Sequence, residues 1–292
     1  MHILSIQSQV VFGHVGNSAI AFPLQTLGHD VWSVPTAILS NHAGYPDYGG
    51  RMIPVADVAD LLDGLRRRGA LSRCDLMLSG YLGHPEMAVL VSETVTQIRT
   101  ANPALIYCCD PVMGDRDGGL YVDPALPGRF ADELVSAADI ACPNLFEAEM
   151  LCGYAPGTLS GAPLEDIVAA GRKILGRMRP GAVLMITGVE HRVLDSAHVA
   201  ALAVDEAAAW CVETPRLDFP SEPHGAGDLA SGLFAAAVAG GADPAAALES
   251  GVAAVFAVLS ETQRHSAAEL ELVLSRDAIQ APTQKFVARR VG

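Results

Sequence analysis

The sequence has no CxxC pair, no uncharged apolar run of about 18 residues and no GxxxxGKS or GxxxxGKT phosphate loop. Each absence excludes something. No Cys/His cluster has zinc-ligand spacing, and the chain is too long and apolar to need disulfide staples. Its six cysteines, Cys74, Cys108, Cys109, Cys142, Cys152 and Cys211, read as reduced core residues. No membrane span is expected. The opening MHILSIQSQVVFG lacks a basic n-region and reads as a first strand rather than a signal peptide, so the expected compartment is the cytoplasm. Positive charge is scarce: 19 Lys and Arg against 33 Asp and Glu give 19 − 33 = −14. That balance argues against nucleic acid or an anionic membrane as the main partner. It leaves room for an anionic small ligand, because one glycine-rich loop can hold a phosphate inside an acidic protein. Only 18% of the 292 residues are charged and 50% are apolar, which excludes disorder as the main description. No linker, repeat or low-complexity segment appears, so one domain is expected over 1–292.

What is present alternates. Strand-like apolar runs fall at 3–11, 31–39, 75–78, 105–109, 140–142, 183–187 and 199–204. Several lack clean alternation, which suits strands covered on both faces. Amphipathic helices are expected at 55–68, with Val58, Leu61, Leu62 and Leu65 on one face, and at 87–99, with Leu90, Val91, Val95 and Ile98. Alanine-rich helices follow at 228–239 and 243–259, the second started by Asp243 as N-cap and Pro244 at N1. The pattern predicts an α/β fold with a central, mostly parallel sheet and helices on both faces.

Four strand ends carry the chemistry. His224-Gly225-Ala226-Gly227-Asp228 precedes a helix, so backbone N–H groups and the helix dipole converge where a phosphate can sit. An Asp closing that loop can take a proton from an attacking hydroxyl. The same residues also suit an ordinary helix start. Asp110-Pro111-Val112-Met113-Gly114-Asp115 follows a strand, where a carboxylate suits magnesium or its water shell; it is equally a strand-ending turn. The glycine-rich segment after it, through Tyr121, suits a flap. Asn144 and Glu147 sit at i and i+3, either as a capping box or as a magnesium-water pair. Ser8 lies late in the first strand, ahead of Gly13-His14-Val15-Gly16-Asn17. No Ser-His-Asp or Cys-His triad has a local signature, so phosphoryl transfer is favoured over hydrolysis.

Taken in order, SIQSQVVFGHVGNSAIAFPLQTLG, LSNHAGY, LSGYLG, CDPVMGD, ACPNLFEAEML and HGAGDLASG resemble the pyridoxal kinases of the ribokinase-like superfamily. The resemblance covers about 3–259, with C-terminal helices to about 280. It implies a ribokinase-like fold and ATP-dependent phosphorylation of the 5′-hydroxyl of pyridoxal, giving pyridoxal 5′-phosphate and ADP. Asp228 matches the general base, and Gly225, Ala226 and Gly227 the anion hole. Ser8, Tyr81 and Tyr121 match positions around the pyridine ring. Asp110, Asn144 and Glu147 match positions near the nucleotide phosphates, with Asp110 and Glu147 on Mg²⁺ through water. Asp115 lies near phosphate and cations, a monovalent cation among them. Cys142, Thr187, Thr214, Pro215, Arg216 and Leu217 match the ATP side. A homodimer is implied as well. Three positions depart from the family: Leu39 where an aromatic is common, Ala43 where a hydroxyl would bond the ring, and His224 where Val is common. These departures keep two rival readings in view, a hydroxymethylpyrimidine kinase and a weakly active pyridoxal-binding protein of the same fold.

Overall fold

The computed structural model describes residues 1–221 and 223–292. Its strands are β1 (His2–Val10), β2 (Asp30–Leu39), β3 (Gly50–Met52), β4 (Leu76–Ser79), β5 (Ile106–Cys109), β6 (Gly114–Asp115), β7 (Gly119–Leu120), β8 (Ile140–Ala141), β9 (Val183–Val189), β10 (His198–Val204), β11 (Ala209–Pro215) and β12 (Arg289–Arg290). Its helices are α1 (Asn17–Thr26), α2 (Val55–Arg67), α3 (Pro85–Ala101), α4 (Leu126–Arg129), α5 (Leu145–Cys152), α6 (Leu164–Leu175), α7 (Ala226–Ala239), α8 (Pro244–Arg264) and α9 (Arg276–Gln280).

Ten strands form one sheet in the order β12-β11-β10-β9-β8-β5-β4-β1-β2-β3, and β6 with β7 makes a separate small hairpin. The six strands from β9 to β2 are parallel; β3 on one side and β10 to β12 on the other are antiparallel. The parallel centre is apolar because both of its faces are covered. In β4, Met77 joins the core under α2, α3, α5 and α6, while Leu76 and Leu78 join the core under α1, α7 and α8. Successive side chains point to opposite faces, so each strand must be apolar throughout to feed two cores.

All seven expected strands form, each within two residues of the expected ends. Four short or edge strands (β3, β6, β7 and β12) and the longer β11 were not foreseen. The first four run two or three residues, too short to leave a period in the sequence. Leu61 is a correction: it is 49% exposed, because Val58 and Leu62, one turn apart, carry the buried face of α2 and Leu61 lies off it. Leu90 is only partly buried, while Val91, Val95 and Ile98 are fully packed. Asp243 caps α8 as expected, its carboxylate accepting from the Ala246 N–H at 2.9 Å. Among the described residues, α8 alone has the length and apolar composition of a membrane span. It packs against α7, α9, β10 and β11 of this fold. All six cysteines are buried and free.

Candidate active site

The parallel strands end on one edge, and the expected site residues gather there. The loop before α7 is the clearest case. Gly225 has φ +92, and a Cβ built there would lie 1.7 Å from the His14 carbonyl oxygen. Only glycine fits that approach. It lets α7 begin hard against the turn after β1, with Ala226, Gly227 and Asp228 in its first turn, where N–H groups have no partner within the helix. The turn on the other side is equally tight. Gly16 has φ +55, and a Cβ there would lie 2.2 Å from the Ser8 carbonyl. Asn17 anchors it from below: its side chain accepts from Ser5 Oγ at 2.6 Å and donates to the Gln7 carbonyl at 2.9 Å. The segments that carry Ser5, Gln7 and Asn17 stand out in the sequence, but their bonding to one another does not, because a buried polar knot has no local signature.

Three carboxylates share this edge. Burial pushes Asp228 up to about 6, with the nearby Gly16 amide pulling the other way. Burial, then repulsion from Glu147 and Asp228, raises Asp110 well above the carboxylate range. Burial raises Glu147 to about 8, although the amides of Asn144, Met113 and Gly114 pull it down. Asn144 and Glu147 form a capping box: Asn144 Oδ1 accepts from the Glu147 N–H and Glu147 Oε2 accepts from the Asn144 N–H, both at 2.9 Å. The pair does a second job. Glu147 Oε1 accepts from the Met113 N–H and Asn144 Nδ2 donates to the Gly114 carbonyl, each at 2.8 Å, so α5 holds the base of the β6–β7 flap. Asn144 is thereby an N-cap whose side-chain oxygen and nitrogen are both engaged.

Asp110, Glu147 and Asp228 raise one another's proton affinity, and a hard divalent cation held through its waters is the ligand type that would relieve that repulsion. This has a measurable consequence. Asp228 and Glu147 titrate at about 6 and about 8 in the folded chain, against about 4 in an unfolded one. Between pH 7 and 8 the folded state therefore holds more protons, and stability falls as pH rises. The expected result is a Tm that drops from pH 7 to 8, with millimolar Mg²⁺ raising Tm more at pH 8 than at pH 7. Differential scanning calorimetry checks it; a Tm indifferent to Mg²⁺ at pH 8 removes the cation from this cluster.

Beside the loop before α7 lies a cavity of about 340 Å³. Thr187, Thr214, Pro215, Arg216, Leu217, Ala226 and Gly227 line it, so the expected ATP-side residues and the glycine loop meet in one space. Cys142 departs from that group: it is buried in the core, with its Sγ 3.8 Å from Cys108 Sγ. On the other side of the loop, Ser8 is buried, and Leu39 and Tyr81 are half-buried. Tyr121 is 49% exposed at the end of the flap, and burial plus the surrounding Glu147, Asp115, Asp228 and Asp110 charges push its phenol well up. Ala43 is exposed beside His42.

Several contacts were invisible in the sequence. His42 and His224 stack with ring centroids 3.8 Å apart, joining the loop after β2 to the loop before α7. Burial lowers His42 to about 4, with His224 adding to the effect. Its Nδ1 accepts from the Gly44 N–H at 3.0 Å. Glu269, beyond the segment of resemblance, accepts from Tyr45 Oη at 2.5 Å and the His14 N–H at 3.3 Å, tying the loop after β2 to the turn after β1. Elsewhere the fold brings His191, Cys211 and Glu213 within 4.8 Å of one another, a grouping no spacing rule could reveal. There Glu213 already pairs with Arg289 and His191, each at 3.2 Å.

The sequence profile of the phosphomethylpyrimidine kinase family matches residues 70–269. The chain is 41% identical over 292 residues to pyridoxal kinase PdxY of Rubrobacter xylanophilus, covering all of this chain and 98% of that one. It is 40% identical to pyridoxal kinase PdxY of Corynebacterium diphtheriae, over the full length of both. The chain belongs to the pyridoxal kinase family. The solved pyridoxal kinase of Leishmania donovani in complex with ADP and pyridoxine superposes with a TM-score of 0.88 at 28% identity, over 100% of this chain and 99% of that one. The family's fold, a ribokinase-like α/β sheet, is thus the fold described above.

Proposed function

We infer that the protein transfers the γ-phosphate of ATP to the 5′-hydroxyl of pyridoxal, giving pyridoxal 5′-phosphate and ADP. Full-length similarity to pyridoxal kinases supports it. The observation that carries the chemistry is Gly225 seated on the His14 carbonyl. That contact sets the start of α7 so that its free amides and Asp228 share one spot, between the nucleotide cavity and the ring pocket. Phosphoryl transfer needs mainly positioning and charge stabilisation. Asp228 orients the hydroxyl and accepts its proton, and a carboxylate raised to about 6 is a better base than an ordinary one while still ionised at neutral pH. The amides of Gly225, Ala226 and Gly227 hold the developing charge on the transferred group. Asp110 and Glu147 would hold Mg²⁺ through water, and the ion would supply charge neutralisation of the triphosphate. A monovalent cation near Asp115 belongs to the same reading. Thr187, Thr214, Pro215, Arg216 and Leu217 receive the nucleotide; Ser8, Leu39, Tyr81, Tyr121 and His224 surround the ring.

The whole chain acts as one catalytic domain in this reading, in a reducing cytoplasm that suits six buried free thiols. It is also taken to be a homodimer, and sedimentation equilibrium decides that: the mass of one 30.5 kDa chain would overturn it.

A coupled ADP-release assay with pyridoxal, pyridoxine, pyridoxamine and hydroxymethylpyrimidine tests the function. Turnover with pyridoxal is the expected outcome; turnover only with hydroxymethylpyrimidine, or with none, overturns it. The ring pocket adds a sharper expectation. Ala43 cannot make a neutral hydrogen bond worth about 0.5–1.5 kcal/mol. Ala43→Thr is therefore expected to lower KM for pyridoxal about three- to tenfold with kcat unchanged, as for uniform binding. His224→Val is expected to raise KM. If neither variant moves KM, the ring does not lie against these residues.

A further inference from the structure

We propose that Glu190 is a positioning residue that latches the flap over the phosphate site, clasping Arg116 of the flap and Arg216 of the nucleotide cavity; this rests on the kinase reading above. The flap cannot hold itself down. Its strands β6 and β7 have two residues each, and an isolated two-stranded hairpin is marginal in water. Its base is pinned by the Asn144 and Glu147 bonds described above. Its tip reaches the rest of the protein through Arg116, whose guanidinium donates to both Glu190 oxygens, closely to Oε2 and at 3.5 Å to Oε1.

Glu190 is well placed to receive it. It follows β9 directly, and its carbonyl accepts from the Gly161 N–H at 2.8 Å, so a sheet rather than another loop presents the carboxylate. The same carboxylate accepts from Arg216 at 2.5 Å. Arg216 lines the nucleotide cavity, and its own N–H donates to the Ala197 carbonyl at 2.7 Å. One carboxylate thus joins the flap tip to the rim of the ATP cavity. Arg116 first, then Arg216, hold Glu190 below the usual carboxylate range, so the clasp stays charged at neutral pH. Asp117 also lies 3.7 Å from Arg116 Nε, so two guanidiniums and two carboxylates meet at the tip and the clasp as a whole is close to neutral.

A partly exposed ion pair contributes little to global stability. A weakly folded hairpin needs little, and the same small energy sets how often it opens. An open flap admits water, which attacks the γ-phosphorus in place of the pyridoxal hydroxyl and yields ADP and inorganic phosphate.

The test measures ADP and pyridoxal 5′-phosphate separately, with and without pyridoxal, in the full-length enzyme. Glu190→Gln and Arg116→Gln are each expected to raise pyridoxal-independent ATP hydrolysis about five-fold, the equivalent of ~1 kcal/mol. The double variant should be no leakier than either single one, because both remove the same contact. Arg116→Lys, which keeps the charge, should stay closer to wild type than Arg116→Gln. If Glu190→Gln fails to fold, Arg116→Gln at the exposed tip decides alone. Wild-type coupling in Arg116→Gln, or leaks that add in the double variant, overturn the latch. Absence of pyridoxal turnover in the wild type would instead count against the kinase reading, so the two failures are distinct.

Discussion

Asp228→Asn lowers turnover by about 10²–10⁴-fold, the range for losing a general base, while the fold and the binding of both substrates persist. The argument runs from the loop outward. Gly225 lets the chain pass the His14 carbonyl at a distance no side chain allows, which places Asp228 in the first turn of α7. Burial raises its carboxylate to about 6, so at neutral pH it is ionised and ready to take a proton. Asn has the same shape and keeps one acceptor oxygen, but it cannot accept that proton. Steady-state kinetics give the effect, and calorimetric binding of pyridoxal and of a non-hydrolysable ATP analogue checks that only chemistry is lost. Near-wild-type turnover in a well-folded variant would remove Asp228 from this role.

Gly225→Val is expected to abolish measurable turnover and weaken ATP binding at least about tenfold, because it displaces the loop that presents the amides and the base together. Two independent costs act at this position. A Cβ meets the His14 oxygen at 1.7 Å, so backbone must move, and φ of +92 is strained for any β-branched residue. The neighbouring Gly227 has nothing within 4 Å of a built Cβ and makes an internal control. Gly227→Ala should retain the fold and lose less. If Gly225→Val binds ATP and phosphorylates pyridoxal normally, the anion-hole assignment is wrong.

The contrast between these two glycines shows what was legible in advance. The pattern Gly225-Ala226-Gly227-Asp228 before an alanine-rich run points to a helix start that can face an anion, and that is where α7 begins. Nothing local says which glycine is indispensable. That depends on His14, more than two hundred residues away in sequence. Asn144 and Glu147 behave similarly. Their spacing admits both a capping box and a metal pair; the structure forms the capping box, with Met113 and Gly114 arriving as unforeseen partners. The family resemblance puts Cys142 on the ATP side; alternation along the strand end turns its thiol into the core.

By itself the sequence determined the parallel sheet, the two helical layers and the strand ends that carry the chemistry, because apolar periodicity and helix-start residues act within a few positions of one another. Only the tertiary structure decided the His42–His224 stack, the Glu269 tie between the loop after β2 and the turn after β1, and the Glu190 clasp on the flap. Each joins residues far apart in the chain through side chains that, read locally, are ordinary polar surface. Their role comes from which strand ends the parallel sheet sets side by side, and that neighbourhood exists only once the chain has folded.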